Sequence, residues 1–504
     1  MLMHKDIAKL RERLIDITHL SAASAVLNWD QEVMMPKKAA DFRAQSIACL
    51  AGIIHTKFIS IDDDGLLTGL KAQLDAKKLR GGDAVVVADT WRSFEREKKL
   101  PEAFVKEMAE LTSKAQSVWA EARKKNDFKL FLPYLSRIVK LKRQEAELVG
   151  YKNSPYDALL DTYEPDMTTE DASRVLNDLK DFLVPFVKKI AASKKKINTK
   201  VVKGDFPLET QGAFNGYIAH EIGFDFEAGR LDASTHPFST SFSPHDCRIT
   251  TRYKKDDVMY SIGSTVHEAG HAMYEQGLPH AHFGTPLSQS VSLGIHESQS
   301  RMWENAVGKS REFWKYFYPR LAKAFPKPFA ALPMEDFYVA INKVQPSLIR
   351  TEADEATYNL HIILRFEIER EMIEGSIELK DLPKIWNAKF QEYFGITPPT
   401  DAQGVLQDVH WSCGYIGYFP TYSLGNLYAA QFYAAMEKEM PDVKKKIAKG
   451  DFAPVKAWLN KNIHAHGKTY SADALVRKVT GEPLTSAYFT SYLQKKYGEI
   501  YGLK

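Results

Sequence analysis

Long stretches of this chain repeat their apolar residues every three or four positions, and that period belongs to helices packed on one another. Residues 6–27, 104–125 and 132–150 all carry it, the last ending on Gly150 as a helix stop. Residues 171–196 carry it too, with Pro185 expected to kink or split the helix. After Pro454 a further helical run covers 455–467. Strand-like segments are few. Residues 199–209 and 246–253 have β-branched content between turn-forming residues and read as strands. Residues 232–243, rich in Ser and Thr, read as a loop. The expected fold class is mainly α: a large helical body with a small β element near its middle. No repeat or low-complexity linker divides the 504 residues. One unit over 1–504 is therefore expected, with soft internal borders near 1–200, 201–430 and 431–504.

Charge excludes some partners. Basic and acidic residues nearly balance, 68 against 64, so no global field argues for nucleic acid or a membrane surface. The lysine triplets at 194–196 and 444–446 lack aromatic or motif context and read as solvated helix ends or loops. The three cysteines, Cys49, Cys247 and Cys413, are odd in number, far apart and form no CxxC pair. They support neither a disulfide framework nor a thiolate metal site, and they fit a reducing compartment. The first twenty residues are charged and amphipathic, without the apolar centre of a signal peptide. No stretch is expected to reach the roughly 20 apolar residues of a membrane span. A cytoplasmic location follows, with no membrane or nucleic-acid partner.

The chemistry concentrates in DDVMYSIGSTVHEAGHAMYEQGLP, a helical stretch stopped by Gly277 and Pro279, with Ser264 or Thr265 able to interrupt it near its start. His267 and His271 are four apart, so on a helix they leave one face about a turn apart and can share one tetrahedral ion. Glu268, beside the first histidine, can reach the attacking water without binding metal itself. A catalytic zinc needs a third protein ligand, and no third histidine follows at the right spacing. The next helical segment, 288–310, offers Glu297 and Glu304 beside His296 and Arg301. Glu297 is favoured because Ser298 to Ser300 make its surroundings small and polar.

Two further segments add candidates. In 349–369, Arg350, Asp354 and Tyr358 recur every four residues, which on a helix is one face. Asp354 would then orient a metal histidine while Arg350 faces substrate; the alternative is an exposed salt bridge. Residues 404–433 combine His410 with a run of tyrosines. Tyr418, Tyr422 and His410 are candidates to stabilise a tetrahedral oxyanion, against the alternative that the aromatic run is core.

These segments together resemble the carboxypeptidase Taq family of zinc metallocarboxypeptidases. The matching motifs are NWDQEVMMP at 28–36, HPF at 236–238, DCRITTR at 246–252, HEAGH at 267–271, HESQSR at 296–301, IRTEAD at 349–354, GVLQDVHW at 404–411 and GYFPTY at 417–422. They run in order along nearly the whole chain. Cys247 stands where its motif is variable. The resemblance implies one catalytic unit of neurolysin-like zincin architecture around a deep groove. It further implies a homodimer, one Zn²⁺ per chain, and peptide substrates shortened by single residues from the C-terminus. It makes Glu297 the third ligand and Arg350 and Tyr422 substrate-contacting residues. His236 and the segment from Asp246 through Arg248 to Arg252 would wall the groove.

Residue chemistry agrees with exopeptidase action. A carboxypeptidase must hold a free carboxylate, which arginine does with paired N–H donors. Arg350 is the first choice, with Arg248, Arg252 and Arg301 in reserve. The nearest rival is a zinc oligopeptidase cutting inside short peptides with the same site; Co²⁺ would suit the same ligands. An aminopeptidase is disfavoured by the lack of a GxMEN-type segment. A binding protein with a dead metal site would have no need of Glu268.

Overall fold

The computed structural model describes residues 5–503. Helices α1 (Lys5–Val33), α2 (Ala40–Ile59), α3 (Leu66–Asp75) and α4 (Gly81–Lys98) come first. They close around a core of their own that includes Ile7, Leu10, Ile61, Leu67, Leu70 and Val86, joined from the later chain by Leu287. Helices α5 (Glu102–Lys125), α6 (Phe128–Val149), α7 (Pro155–Leu160), α8 (Thr169–Ala191) and α9 (Leu208–Glu221) lead to strands β1 (Gly229–Ala233), β2 (Ser239–Ser243) and β3 (Asp246–Thr251). Next come α10 (Val258–Gln276) and α11 (Leu293–Arg301), which runs into a π-helical turn at Met302–Val307. After them follow α12 (Arg311–Ala324), α13 (Pro326–Phe329), α14 (Met334–Ile341), α15 (Tyr358–Glu374), α16 (Leu382–Phe394) and α17 (Pro420–Glu439). The chain finishes with α18 (Val443–Ala448), α19 (Ala453–Asn462), α20 (Ala472–Thr480) and α21 (Ala487–Tyr501). The large core formed by the elements after α4 buries α15 almost completely, from Tyr358 through Glu369.

The mainly helical architecture with one small sheet is as expected. The sheet has the order β1-β3-β2, with β1 parallel and β2 antiparallel to β3. Cys247, Ile249, Thr250 and Thr251 of β3 are buried as the sheet lies against α10. Gly229 allows β1 to come this close, because a Cβ there would overlap the Cys247 carbonyl.

Four local expectations are corrected. Residues 199–209 form a 3₁₀ turn, Thr199–Val202, and the start of α9: the Asn198 side chain accepts from the Lys200 N–H, and Pro207 opens the helix. Residues 232–243 are not all loop, since β2 pairs there with β3 and turns only Phe242 fully inward. A strand with one apolar anchor among hydroxyls gives little periodic signal. Helix α8 runs unbroken through Pro185, which is exposed together with Asp181, so water can satisfy the carbonyl that proline frees. Finally, Lys37–Asp62 is long and apolar enough to cross a membrane, with a mean hydropathy of 1.3, although only 6% of that window is buried. Alanines and glycine interleaved among Ile47, Leu50, Ile53 and Ile54 raise its hydropathy without making a continuous bulky run.

Candidate active site

Helix α10 starts at Asp257, whose side chain accepts from the Tyr260 N–H, and continues without interruption past Ser264. The Ser264 hydroxyl folds back onto the carbonyls of Tyr260 and Ser261, so it does not break the helix. His267 and His271 therefore leave one face, with ring centroids 4.9 Å apart. Helix α11 lies between α10 and α17, and two glycines set its distance from each. A Cβ at Gly270 would stand 2.6 Å from Ser300 Cα, and one at Gly425 2.5 Å from Glu297 Cγ. This close approach carries Glu297 to the histidines. Its Oε2 lies 3.3 Å from His271 Nε2 and 3.8 Å from His267 Nε2.

The three side chains offer ligand atoms all within 4.8 Å of one another. Ligands around a tetrahedral zinc stand about 3.3 Å apart, so the donor set fits a divalent ion with little adjustment. The surroundings orient His267 and keep His271 and Glu297 in ligating form. Glu304 Oε2 is 2.8 Å from His267 Nδ1, which holds a proton there and leaves Nε2 free. Burial, then His296, lowers His271 to about 3, so its ring is neutral. Burial would raise Glu297, but Arg301 and then His267 hold its carboxyl well below the usual carboxylate range. Arg301 Nε donates to Glu297 Oε1 at 2.6 Å, leaving Oε2 toward the histidines. Glu268 is buried beside His267 and is not one of the three donors; burial pushes its carboxyl up to about 7.

Across α11 lies a second charged cluster. Arg350 Nε donates to Asp408 Oδ1 at 3.0 Å and Nη1 to the Tyr358 hydroxyl at 3.1 Å, while Nη2 stands 2.9 Å from the same Asp408 oxygen. The other oxygen of Asp408 accepts from Arg365 Nε at 2.7 Å. With five N–H groups, Arg350 keeps one donor on each terminal nitrogen without a partner among the described residues. Its guanidinium lies 5.1 Å from the centre of the Tyr422 ring, and the Tyr422 hydroxyl is 3.4 Å from His410 Nε2. Burial, helped by Arg350 and Arg365 and opposed by Asp408, lowers His410 to about 4, a neutral ring near neutrality. Tyr418 meets Tyr422 edge-on at 5.4 Å. Both tyrosines lie within electrostatic reach of Glu297 and of Arg350.

Other sequence candidates are placed differently. Asp354 does not orient a histidine. Its Oδ1 accepts from the N–H groups of Ala356 and Thr357, and its Oδ2 from Gln345 N–H and the Thr357 hydroxyl. It prepares the start of α15, so residues 350–358 are not one helix and the four-residue spacing there has no helical meaning. Glu304 takes the orienting role instead. Arg301, held by Glu297 and Glu304, is not a free carboxylate binder. Arg248 pairs with Asp246 at 2.9 Å and covers the Trp29 ring, while Arg252 reaches the Thr235 carbonyl at 3.5 Å and His236 is exposed. Sequence reasoning missed Asp408, Arg365 and Glu369. One buried Glu369 carboxylate accepts from Trp411 Nε1, from Gly417 N–H and from the Tyr156 hydroxyl, so it holds both ends of the loop carrying His410 and Tyr418. Asp408 was visible inside the GVLQDVHW motif; Glu369 had no local signal.

Replacing Glu304 by glutamine removes the charge behind His267 and is expected to weaken metal binding about tenfold. Competition with a chelating dye measures this, and an unchanged affinity would remove Glu304 from the site.

Comparison with known proteins identifies the family of the chain. The family model for carboxypeptidase Taq (M32) metallopeptidases matches residues 9–497. The chain belongs to that family. It is 41% identical to carboxypeptidase 1 of Bacillus subtilis, covering 96% of each chain. It is also 41% identical to thermostable carboxypeptidase 1 of Pyrococcus furiosus, over 94% of this chain and 95% of the relative. The crystal structure of the M32 carboxypeptidase from Deinococcus radiodurans superposes with a TM-score of 0.95 at 39% identity, covering 99% of this chain and 100% of the other. Membership in the M32 family implies a divalent metal, and His267, His271 and Glu297 form a candidate donor set for it.

Proposed function

We propose that the chain is a zinc metallocarboxypeptidase that releases single residues from free peptide C-termini. The observation that carries the reading is that Tyr422, within electrostatic reach of the donor Glu297, has the half-satisfied Arg350 guanidinium 5.1 Å from its ring centre. Two imidazoles and a carboxylate suit Zn²⁺, and Co²⁺ by the same chemistry. When bound, such an ion lowers the pKa of water toward about 7 and polarises a carbonyl oxygen. Glu268 takes the proton of the attacking water and returns it to the leaving amine. Tyr422 and Tyr418 donate O–H, and His410 donates N–H, toward the oxygen on which charge develops. Arg350 offers its two unused N–H donors to the terminal carboxylate, which brings the last peptide bond to the histidines. Homodimerisation belongs to the same reading. The exposed apolar residues of α2, Phe42 and Ile53, support it.

The test compares peptides with free and amidated C-termini, with products read by mass spectrometry. The parent is expected to remove one residue at a time from free ends only. Arg350→Ala is expected to lower kcat/KM for free ends about 100-fold, since a desolvated charge pair is lost. Asp408 keeps Arg365 as a partner, so the fold should tolerate the change. Equal cleavage of amidated peptides by the parent would favour the oligopeptidase instead.

A further inference from the structure

Beside the metal donors, and away from Arg350, lies a cavity of about 360 Å³ that the mechanism leaves unused. Its wall includes Tyr163, Glu275, Ser288, Ser290 and Lys468, with exposed Gln289 at the rim. Its position relative to the reaction follows from α11. Ser292 and Leu293, at the start of this helix, line the cavity. Glu297 is one turn on. Arg301 is a further turn on and lies over Tyr358, the ring whose hydroxyl meets Arg350. Each step of four residues advances about 6 Å. The cavity and Arg350 therefore flank the metal donors from opposite ends of α11. Helix α10 repeats the relation: Glu275 stands one turn beyond His271. Tyr163 meets Tyr418 edge-on at 5.2 Å, so the cavity adjoins the tyrosines of the site.

Resting on the reading that Arg350 holds the terminal carboxylate, chain beyond the scissile bond lies toward Arg350 and chain before it lies toward this cavity. An extended peptide advances about 3.3–3.6 Å per residue, so the cavity is within reach of the two residues preceding the bond. Its chemistry is selective. Lys468 is paired with Asp89 of α4 at 3.3 Å, so its charge is balanced. Glu275 Oε1 meets His296 Nε2 at 2.8 Å, whereas Oε2 has no hydrogen-bond partner among the described residues. The Ser288 hydroxyl is enclosed in the wall and has no hydrogen-bond partner among the described residues. A carboxylate oxygen left open calls for a donor-rich, positively charged side chain.

We propose that this cavity is a subsite for one of the two residues preceding the scissile bond, and that Glu275 selects lysine or arginine there. The experiment uses the metal-loaded enzyme and peptides of fixed C-terminal residue, with Lys, Gln or Glu at either preceding position. The parent is expected to cleave Lys over Glu at one of these positions by about tenfold in kcat/KM. Glu275→Gln is expected to reduce that ratio to about twofold, and Ser290→Lys to move it in favour of Glu. A ratio reads preference independently of metal occupancy, and Ser290→Lys decides the matter if Glu275→Gln does not fold. A parent ratio near one at both positions, or a ratio untouched by the variants, overturns the subsite. Products cut internally would instead overturn the exopeptidase reading, while the ratio at the cleaved bond would still report on Glu275.

Discussion

Glutamine in place of Glu268 is expected to leave the metal content unchanged and to lower kcat by about 10²- to 10⁴-fold, the range that a positioned proton-transfer group supplies. The two side chains have nearly the same shape, and Glu268 is not among the three donor atoms, so the ion should stay. What disappears is the ability to take up a proton. The site raises that ability, because burial pushes the Glu268 carboxyl to about 7, a value suited to both accepting and returning a proton near neutrality. The measurement pairs metal analysis with steady-state kinetics on a peptide with a free C-terminus. Full metal content with kcat within tenfold of the parent would remove Glu268 as the base. Lost metal would show that the residue acts on the ion's surroundings instead.

How much of this was legible in the sequence depends on the distance over which each relation acts. His267, Glu268 and His271 sit on one helix, and a helix converts a four-residue spacing directly into geometry. Glu297 was legible only as one of two carboxylates on the next helix. The choice is made by Gly270 and Gly425, which let α10 and α17 close on α11 from both sides, a relation among three helices that no local spacing records. The same spacing argument failed for Arg350, Asp354 and Tyr358. There the Asp354 carboxylate binds backbone N–H groups and starts α15 late, yet Arg350 still reaches Tyr358 through the turn. Asp408 and Glu369 act on partners tens of residues away, and β2 pairs through backbone groups that side-chain periodicity does not report. The period of helices is written locally; the contacts that turn helices into a site are not.

Replacing Glu297 by alanine should have a larger effect than any change to an outer partner. Loss of an orienting group costs about 10- to 100-fold in metal affinity, so loss of one of three donors is expected to cost roughly 10³-fold or more. Turnover should fall to background at ordinary metal concentrations. The failure differs in kind from that of Glu268→Gln, because here the ion itself is lost. An ion that binds only the folded protein raises its Tm as concentration rises through Kd. The parent and Glu268→Gln should therefore both show a metal-dependent rise in Tm, and Glu297→Ala should show none over the same range. Glu297→Asp, which keeps the charge but shortens its reach by one methylene, should fall between them. Arg301 retains Glu304 when Glu297 is removed, so the guanidinium is not left buried and unpaired, and the variant is expected to fold. If Glu297→Ala bound metal as tightly as the parent and kept its Tm response, the third donor would have to be sought elsewhere. Glu304 is the next carboxylate on the same stretch of chain, already 2.8 Å from His267 Nδ1.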